Sequence, residues 1–131
     1  MKYLLTILFS ITIVFSTFSQ SFMDKTPEEG LMEALEYYEI HHKEIVYAQA
    51  IIESGRFKSR LSKNNNNIFG LKCGKRYCKY KHWSECVIDY KKRIQNRYRE
   101  GEDYYRFLRR IRYASDPNYI KSLKRIVCGR K

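Results

Sequence analysis

The sequence predicts a mainly α-helical domain that carries at most one small hairpin. Five segments place apolar residues at the spacing of one helix face. Helix-start signals precede several of them, most clearly at Thr26-Pro27 and Asp116-Pro117. Residues 73–82 are short, basic and aromatic and contain two cysteines, a pattern that favours a hairpin or disulfide loop. The chain has 131 residues, enough for one domain.

The first 19 residues are predicted to be a secretory signal peptide. Lys2 precedes an apolar run over residues 4–14, and Thr17 and Ser19 supply the small side chains at the −3 and −1 positions of a cleavage site. The run is short for a membrane span and lacks a basic stop on its far side. We therefore expect residues 20–131 to form one exported domain, periplasmic or secreted, without stable membrane insertion after cleavage.

The first two helices have clear boundary signals. Thr26 is the predicted N-cap, Pro27 the first helical residue, and Glu29 completes a capping box. This helix is expected to end between residues 38 and 41. The second helix is predicted from about residue 43 to residue 54, where Ser54-Gly55 stops it.

Glu53 lies in the last turn of the second helix, on the same face as Gln49. Residues 45–52 are otherwise apolar or neutral, so the carboxyl would stand where an apolar wall meets a loop. Such a setting raises the pKa of a glutamate toward the range of a general acid. On spacing alone, an ordinary solvated glutamate is the alternative. Gln49 indicates either the polar edge of a cleft or a hydrogen-bonded core residue.

The middle of the chain is predicted to be irregular. Residues 56–63 are interpreted as a loop or turn, and the four asparagines at 64–67 favour a loop with Asx turns. The tract continues into residues 68–71, which have a buried, apolar character. Amide side chains next to a buried apolar segment can bind the acetamido and hydroxyl groups of sugars. A low-complexity surface loop is the alternative.

Three more helices complete the predicted core. Ser84 is the expected N-cap of a helix that runs to about Tyr98, and the next helix is expected over residues 102–112. The last begins with Asp116 as N-cap and Pro117 as first helical residue, and it runs to about residue 127.

Four cysteines follow the signal peptide and predict two disulfides in an exported domain. Three connectivities are possible. Cys73 and Cys78 are close enough to close a small loop, which would leave Cys86 to pair with Cys128. The spacing contains no CxxC pair, so a zinc site is not expected. The sequence contains no signal for any other metal or cofactor.

Charge is distributed unevenly. Residues 21–60 contain eight acids and five bases, whereas residues 61–131 contain six acids and twenty bases. A basic half favours an anionic polymer as partner. For an exported protein nucleic acid is not the expected polymer, and peptidoglycan, teichoic phosphates or anionic lipid head groups fit better. A solvated basic face without a dedicated ligand is the alternative.

Four blocks, taken in order, resemble the bacterial glucosaminidase family of peptidoglycan hydrolases. They are residues 48–55 (AQAIIESG), 66–72 (NNIFGLK), 80–90 (with Glu85, Asp89 and Tyr90) and 113–119 (YASDPNY). The resemblance implies a lysozyme-like helical domain, here with a reduced hairpin or disulfide loop in place of a β-lobe. It also implies cleavage of the β-1,4 bond after N-acetylglucosamine in peptidoglycan glycan strands.

The resemblance assigns roles to individual residues. Glu53 matches the general acid of the family, and Tyr113 matches a tyrosine that lines the site and assists the reaction. Cys86 stands where a serine is expected, which favours a disulfide over a catalytic thiol. Four residues are expected to contact the substrate: Gln49, Asn67, Phe69 and Tyr90.

The chain departs from the two-carboxylate pattern of most glycosidases. Residues 73–82 contain no aspartate or glutamate, and we interpret Asp89 as a structural residue. The hypothesis is therefore a one-acid site, in which the 2-acetamido group of the sugar, or a water positioned by Tyr113, replaces the second carboxylate. The alternatives are a lytic transglycosylase that uses Glu53 as sole acid and base, a non-catalytic glycan-binding module, and a cationic membrane-active protein.

Overall fold

The computed structural model describes residues 21–130, so the predicted signal peptide lies outside the described residues. Within this range the chain is mainly helical with one two-stranded hairpin, as the sequence predicts. None of the described helices is long and apolar enough to cross a membrane. The elements are α1 (Pro27–Tyr37), α2 (Lys43–Glu53), α3 (Arg60–Asn65), β1 (Lys72–Cys73), β2 (Arg76–Tyr77), α4 (Trp83–Arg93), α5 (Tyr104–Arg110) and α6 (Tyr119–Gly129), with short 3-10 turns at Ser21–Asp24 and Gln95–Arg97.

The start of α1 confirms the predicted capping box. The Thr26 side chain accepts a hydrogen bond from the Glu29 N–H, and the Glu29 carboxylate accepts one from the Thr26 N–H. Pro27 occupies the first turn, where its missing N–H costs no hydrogen bond. The second helix also has the predicted extent, and α2 ends at Glu53 with Ser54 as its C-cap.

Residues 60–65 form a short helix, α3, where the sequence predicts a loop. Ser59 caps it by accepting a hydrogen bond from the Ser62 N–H, and Asn66 ends it in the left-handed conformation. Because α3 has only six residues, it is too short to show a repeating apolar stripe, which is why periodicity missed it.

The predicted starts of the third and fifth helices are displaced. His82, not Ser84, caps α4: its imidazole accepts a hydrogen bond from the Ser84 N–H, and Trp83 is the first helical residue. The helix α6 starts at Tyr119, beyond the predicted Asp116-Pro117 start. The Asp116 carboxylate accepts the Asn118 N–H and forms a turn just before the helix.

The core forms around α2, which packs against α1 and α6, while α1 also packs against α4. A chain of buried hydrogen bonds joins these layers. The Tyr90 hydroxyl donates to Gln49 Oε1 at 2.6 Å and lies 2.7 Å from the Tyr104 hydroxyl. Gln95 Nε2 donates to the Tyr104 hydroxyl, and its amide also bonds both backbone polar groups of His41. This network ties α2, α4 and α5 into one unit.

One predicted disulfide is present and the other is not. Cys73 and Cys78 are bonded across the hairpin, in which β1 and β2 pair antiparallel. The predicted partner bond between Cys86 and Cys128 is wrong, since both are free thiols. Cys86 is buried on α4 with its Sγ 3.6 Å from Asn67 Oδ1, whereas Cys128 is exposed near the end of α6.

Candidate active site

The Glu53 side chain lines a cleft of about 250 Å³ at the C-terminal end of α2. The walls come from the loop before the hairpin, the 3-10 turn after α4 and the end of α5. They combine an apolar and aromatic surface with a few charged side chains. The lining residues are Glu53, Phe69, Gly70, Leu71, Lys72, Ile94, Arg97, Ile111, Arg112 and Tyr113.

The carboxyl of Glu53 is partly buried, and this burial raises its pKa above the ordinary value of 4.5. Loss of water disfavours the charged carboxylate and so favours the protonated acid. The nearby Tyr119 hydroxyl opposes part of this rise. Glu53 therefore has the environment of a group that holds a proton and can donate it.

Gly70 brings the backbone against the Glu53 carboxyl. Its φ of +66° lies in the left-handed region that favours glycine, and a Cβ placed there would lie 3.4 Å from Glu53 Oε2. The loop is held by Asn67, which donates to the carbonyls of Leu71 and Cys78 and accepts from the Leu71 N–H. Asn67 thus fixes the position of Gly70 without facing the cleft.

Three buried polar atoms near the end of α2 lack a close hydrogen-bond partner, and one of them, the Tyr119 hydroxyl, is near enough to Glu53 to lower the pKa of its carboxyl. They are Gln49 Nε2, the Tyr113 hydroxyl and the Tyr119 hydroxyl. The Glu53 charge contributes to raising the pKa of both tyrosines, which places their rings beside its carboxyl. Buried polar groups are normally hydrogen-bonded, so donors that the chain leaves unpaired at one place are available to a ligand or to water. Both tyrosine hydroxyls remain protonated at neutral pH and can donate hydrogen bonds.

The predicted site residues divide into two groups. Glu53, Tyr113 and Phe69 line the cleft. Gln49, Asn67 and Tyr90 are fully buried, and Tyr90 lies beneath Phe69 with ring centroids 4.4 Å apart. In this structure these three support the cleft from inside the core, and their contact with a substrate stays a prediction.

Among the residues that line the cleft, Glu53 supplies the carboxyl. Asp89 accepts hydrogen bonds from the Tyr80 hydroxyl at 2.6 Å and from Arg93 at 3.1 Å, so it joins α4 to the hairpin segment. Glu85 accepts a hydrogen bond from the Lys81 N–H at the start of α4. These contacts favour the structural interpretation of Asp89. Residues 21–130 contain no group of three or more His, Cys, Asp or Glu that could hold a metal ion.

Eight residues of this site were not predicted from the sequence, and five of them are glycine, charged or hydroxyl-bearing residues: Gly70, Lys72, Arg97, Arg112 and Tyr119. Gly70, Lys72 and Tyr119 lie inside the motif blocks, so the blocks contained a signal for them. Arg97 and Arg112 lie outside every block. Arg112 directly precedes Tyr113, whereas Arg97 reaches the cleft through the packing of the turn after α4. A cavity of about 440 Å³ shares Arg112 with the Glu53 cleft and is also lined by Tyr119, and one of about 550 Å³ lies beside α1 and α2, but neither includes Glu53. We therefore assign the site by its chemistry and not by its volume.

Comparison with known proteins identifies one family. The model of the family described as "Glucosaminidase: Mannosyl-glycoprotein endo-beta-N-acetylglucosaminidase" matches residues 28–129. No curated protein and no solved structure matches the chain significantly.

Proposed function

Because the match spans most of its length, the chain belongs to the glucosaminidase family, and we propose that it is an exported hydrolase acting on peptidoglycan. The proposed reaction is cleavage of the β-1,4 bond after N-acetylglucosamine. The observation that carries the proposal is Glu53, a partly buried carboxyl with raised pKa in a cleft beside unpaired hydrogen-bond donors. The Cys73–Cys78 disulfide supports an oxidising compartment outside the cytoplasm.

In the first step, protonated Glu53 donates its proton to the glycosidic oxygen. The bond between this oxygen and the anomeric carbon breaks, and the leaving sugar departs with a new hydroxyl. Positive charge develops on the N-acetylglucosamine ring. The carbonyl oxygen of its own 2-acetamido group then attacks the anomeric carbon, as in substrate-assisted glycosidases.

In the second step, the Glu53 carboxylate takes a proton from water, and this water attacks the anomeric carbon. The acetamido group is released, and the product is a strand with a reducing N-acetylglucosamine end. Glu53 has regained its proton at the end of the cycle. The Tyr113 hydroxyl has no partner within the described residues and can donate a hydrogen bond to the acetamido group or to the attacking water. The Tyr119 hydroxyl lies near the Glu53 carboxyl and can donate to the same groups when substrate is bound.

The proposal is tested by digesting purified peptidoglycan and analysing the new ends. The wild-type protein should release strands with reducing N-acetylglucosamine ends. Glu53→Gln, which keeps the shape but cannot donate the proton, should lose at least about a hundredfold in rate, within the usual contribution of a general acid. Glu85→Gln is the matched control, since Glu85 serves the start of α4 outside the cleft. Full activity in Glu53→Gln would refute the assignment.

A second candidate is a lytic transglycosylase, and the single carboxyl among the lining residues favours it. In that reaction Glu53 acts first as acid and then as base, and a hydroxyl of the sugar itself replaces water. The same digestion would then yield anhydro-muramyl ends and no reducing N-acetylglucosamine ends. Binding of peptidoglycan without any new ends would instead identify a non-catalytic glycan-binding module.

A further inference from the structure

Three cationic side chains reach the Glu53 cleft from separate parts of the chain. Lys72 is on β1, Arg97 is in the 3-10 turn after α4, and Arg112 follows α5. All three residues are exposed. Their positions differ by up to forty residues in sequence, so only the fold brings them to one cavity.

These cations are available to a ligand. None of the three forms an ion pair with a residue in the described range, whereas other bases do, including Arg93 with Asp89. Lys72 Nζ lies 5.6 Å from the ring centroid of Tyr77, an exposed residue, and so is held beside the cleft by a contact that leaves its charge unneutralised.

The cations also stand apart from Glu53. A cation in contact with a carboxylate lowers its pKa, but burial raises the pKa of Glu53 and no lysine or arginine contributes to it. The positive charge is therefore not used to ionise the acid. It lies along the cleft walls, where a bound strand would pass.

We propose that Lys72, Arg97 and Arg112 form a subsite that binds a carboxylate carried by the glycan strand next to the scissile bond. This inference rests on the proposed function, because it assumes that the strand occupies the Glu53 cleft. The guanidinium group matches the planar carboxylate with two parallel hydrogen bonds. In peptidoglycan the carboxylate has two sources, the lactyl group of a muramic acid that carries no stem peptide and the free carboxyls of the stem peptide itself. A neutral N-acetylglucosamine polymer would leave the three cations without partners.

Binding to chemically matched strands tests the subsite. The protein carries Glu53→Gln to prevent turnover, and the ligands are strands stripped of stem peptides and strands that retain them. Each is used with free carboxyls and with carboxyls converted to methylamides. We expect amidation to weaken binding about tenfold, because it removes up to three exposed ion pairs whose modest effects on the dissociation constant multiply. The triple substitution Lys72→Gln, Arg97→Gln, Arg112→Gln should bind free and amidated strands alike.

A second triple variant separates the subsite from general attraction. Lys92→Gln, Arg106→Gln and Lys121→Gln remove the same charge from exposed positions outside the cleft, and this variant should keep the discrimination. Arg112→Gly separates binding from stability. Arg112 has a φ of +53°, which glycine adopts more easily, so this variant should keep its melting temperature and still bind free carboxylates more weakly.

The outcomes are distinct. Discrimination with stripped strands identifies the lactyl carboxylate, and discrimination only with stem-bearing strands identifies the peptide. The inference is overturned if free and amidated strands bind equally, or if the control triple loses discrimination as fully as the cleft triple. If the protein without the Glu53→Gln change produces no new ends but discrimination persists, the proposed enzymatic function fails and the subsite stands.

Discussion

Gly70 provides the sharpest test of how the backbone shapes the candidate site. Alanine at this position must adopt a φ of +66°, and the left-handed conformation costs about 1 kcal/mol in a residue with a Cβ. For a domain of this size we expect the melting temperature to fall by about 4–8 °C. The new methyl group would also stand 3.4 Å from Glu53 Oε2, an ordinary contact that causes no clash.

The methyl group should affect activity more than stability. A general acid must approach within about 3 Å of the oxygen that it protonates. The methyl group would occupy part of the space beside Glu53 Oε2 that this oxygen needs. A misplacement of about 1 Å can cost a hundredfold in rate, so we expect Gly70→Ala to lose between about tenfold and a hundredfold in turnover.

Gly74→Ala is the matched control for this substitution. Gly74 has a nearly identical φ of +68°, and a Cβ there would meet no atom within 4 Å. Both variants should lose similar stability in thermal unfolding, but only Gly70→Ala should lose turnover on peptidoglycan at a temperature where both are folded. Equal activity losses in the two variants, or full activity in Gly70→Ala, would refute the reasoning.

Four further predictions follow from the site and the thiols. The folded protein holds the Glu53 proton more tightly than the unfolded chain, so the free energy of unfolding falls as the pH rises from 4.5 through the raised pKa. The melting temperature of Glu53→Gln should therefore exceed that of wild type by a growing margin over this range, and the two melting temperatures should be equal at lower pH. Tyr119→Phe removes a hydroxyl that lowers the Glu53 pKa, so the alkaline limb of the rate profile should move to higher pH, and an unmoved limb would exclude this contact. Asp89→Asn should lower the melting temperature through weaker bonds to its neighbours yet keep turnover within about tenfold, whereas a loss comparable to that of Glu53→Gln would identify a second catalytic carboxylate. Alkylation of the native protein followed by mass spectrometry should modify Cys128 and spare Cys86 until unfolding, and protection of Cys128 would indicate that it is paired.

Local signals identified much of the fold. Thr26, Pro27 and Glu29 specify a capping box through contacts within one turn, so their pattern is readable without knowledge of the rest of the chain. The position of Glu53 at the end of α2 follows in the same way from an apolar helix and the stop at Ser54. The start of α4 is displaced because His82 and Ser84, two positions apart, can each accept the same kind of capping hydrogen bond.

Burial could not be read from the same patterns. The sequence leaves Gln49 as either the polar edge of a cleft or a hydrogen-bonded core residue, and it predicts that Gln49 and Asn67 contact the substrate. In the structure both side chains are fully buried and hydrogen-bonded in the core, and their contact with a substrate stays a prediction. A polar side chain among apolar residues has the same sequence pattern in either setting. The difference is whether a distant partner, such as Tyr90 for Gln49, reaches it after folding.

By itself the sequence determined the helical class, the disulfide-bearing hairpin segment and the acid at the end of α2, since helix periodicity, caps and short loops are properties of neighbouring residues. Only the tertiary structure decided that Cys86 and Cys128 stay apart and that Tyr119 lies beside Glu53. It also decided that Lys72, Arg97 and Arg112 share one cleft. These outcomes depend on how α2, α5 and α6 pack, and packing joins residues whose separation in sequence leaves no local pattern.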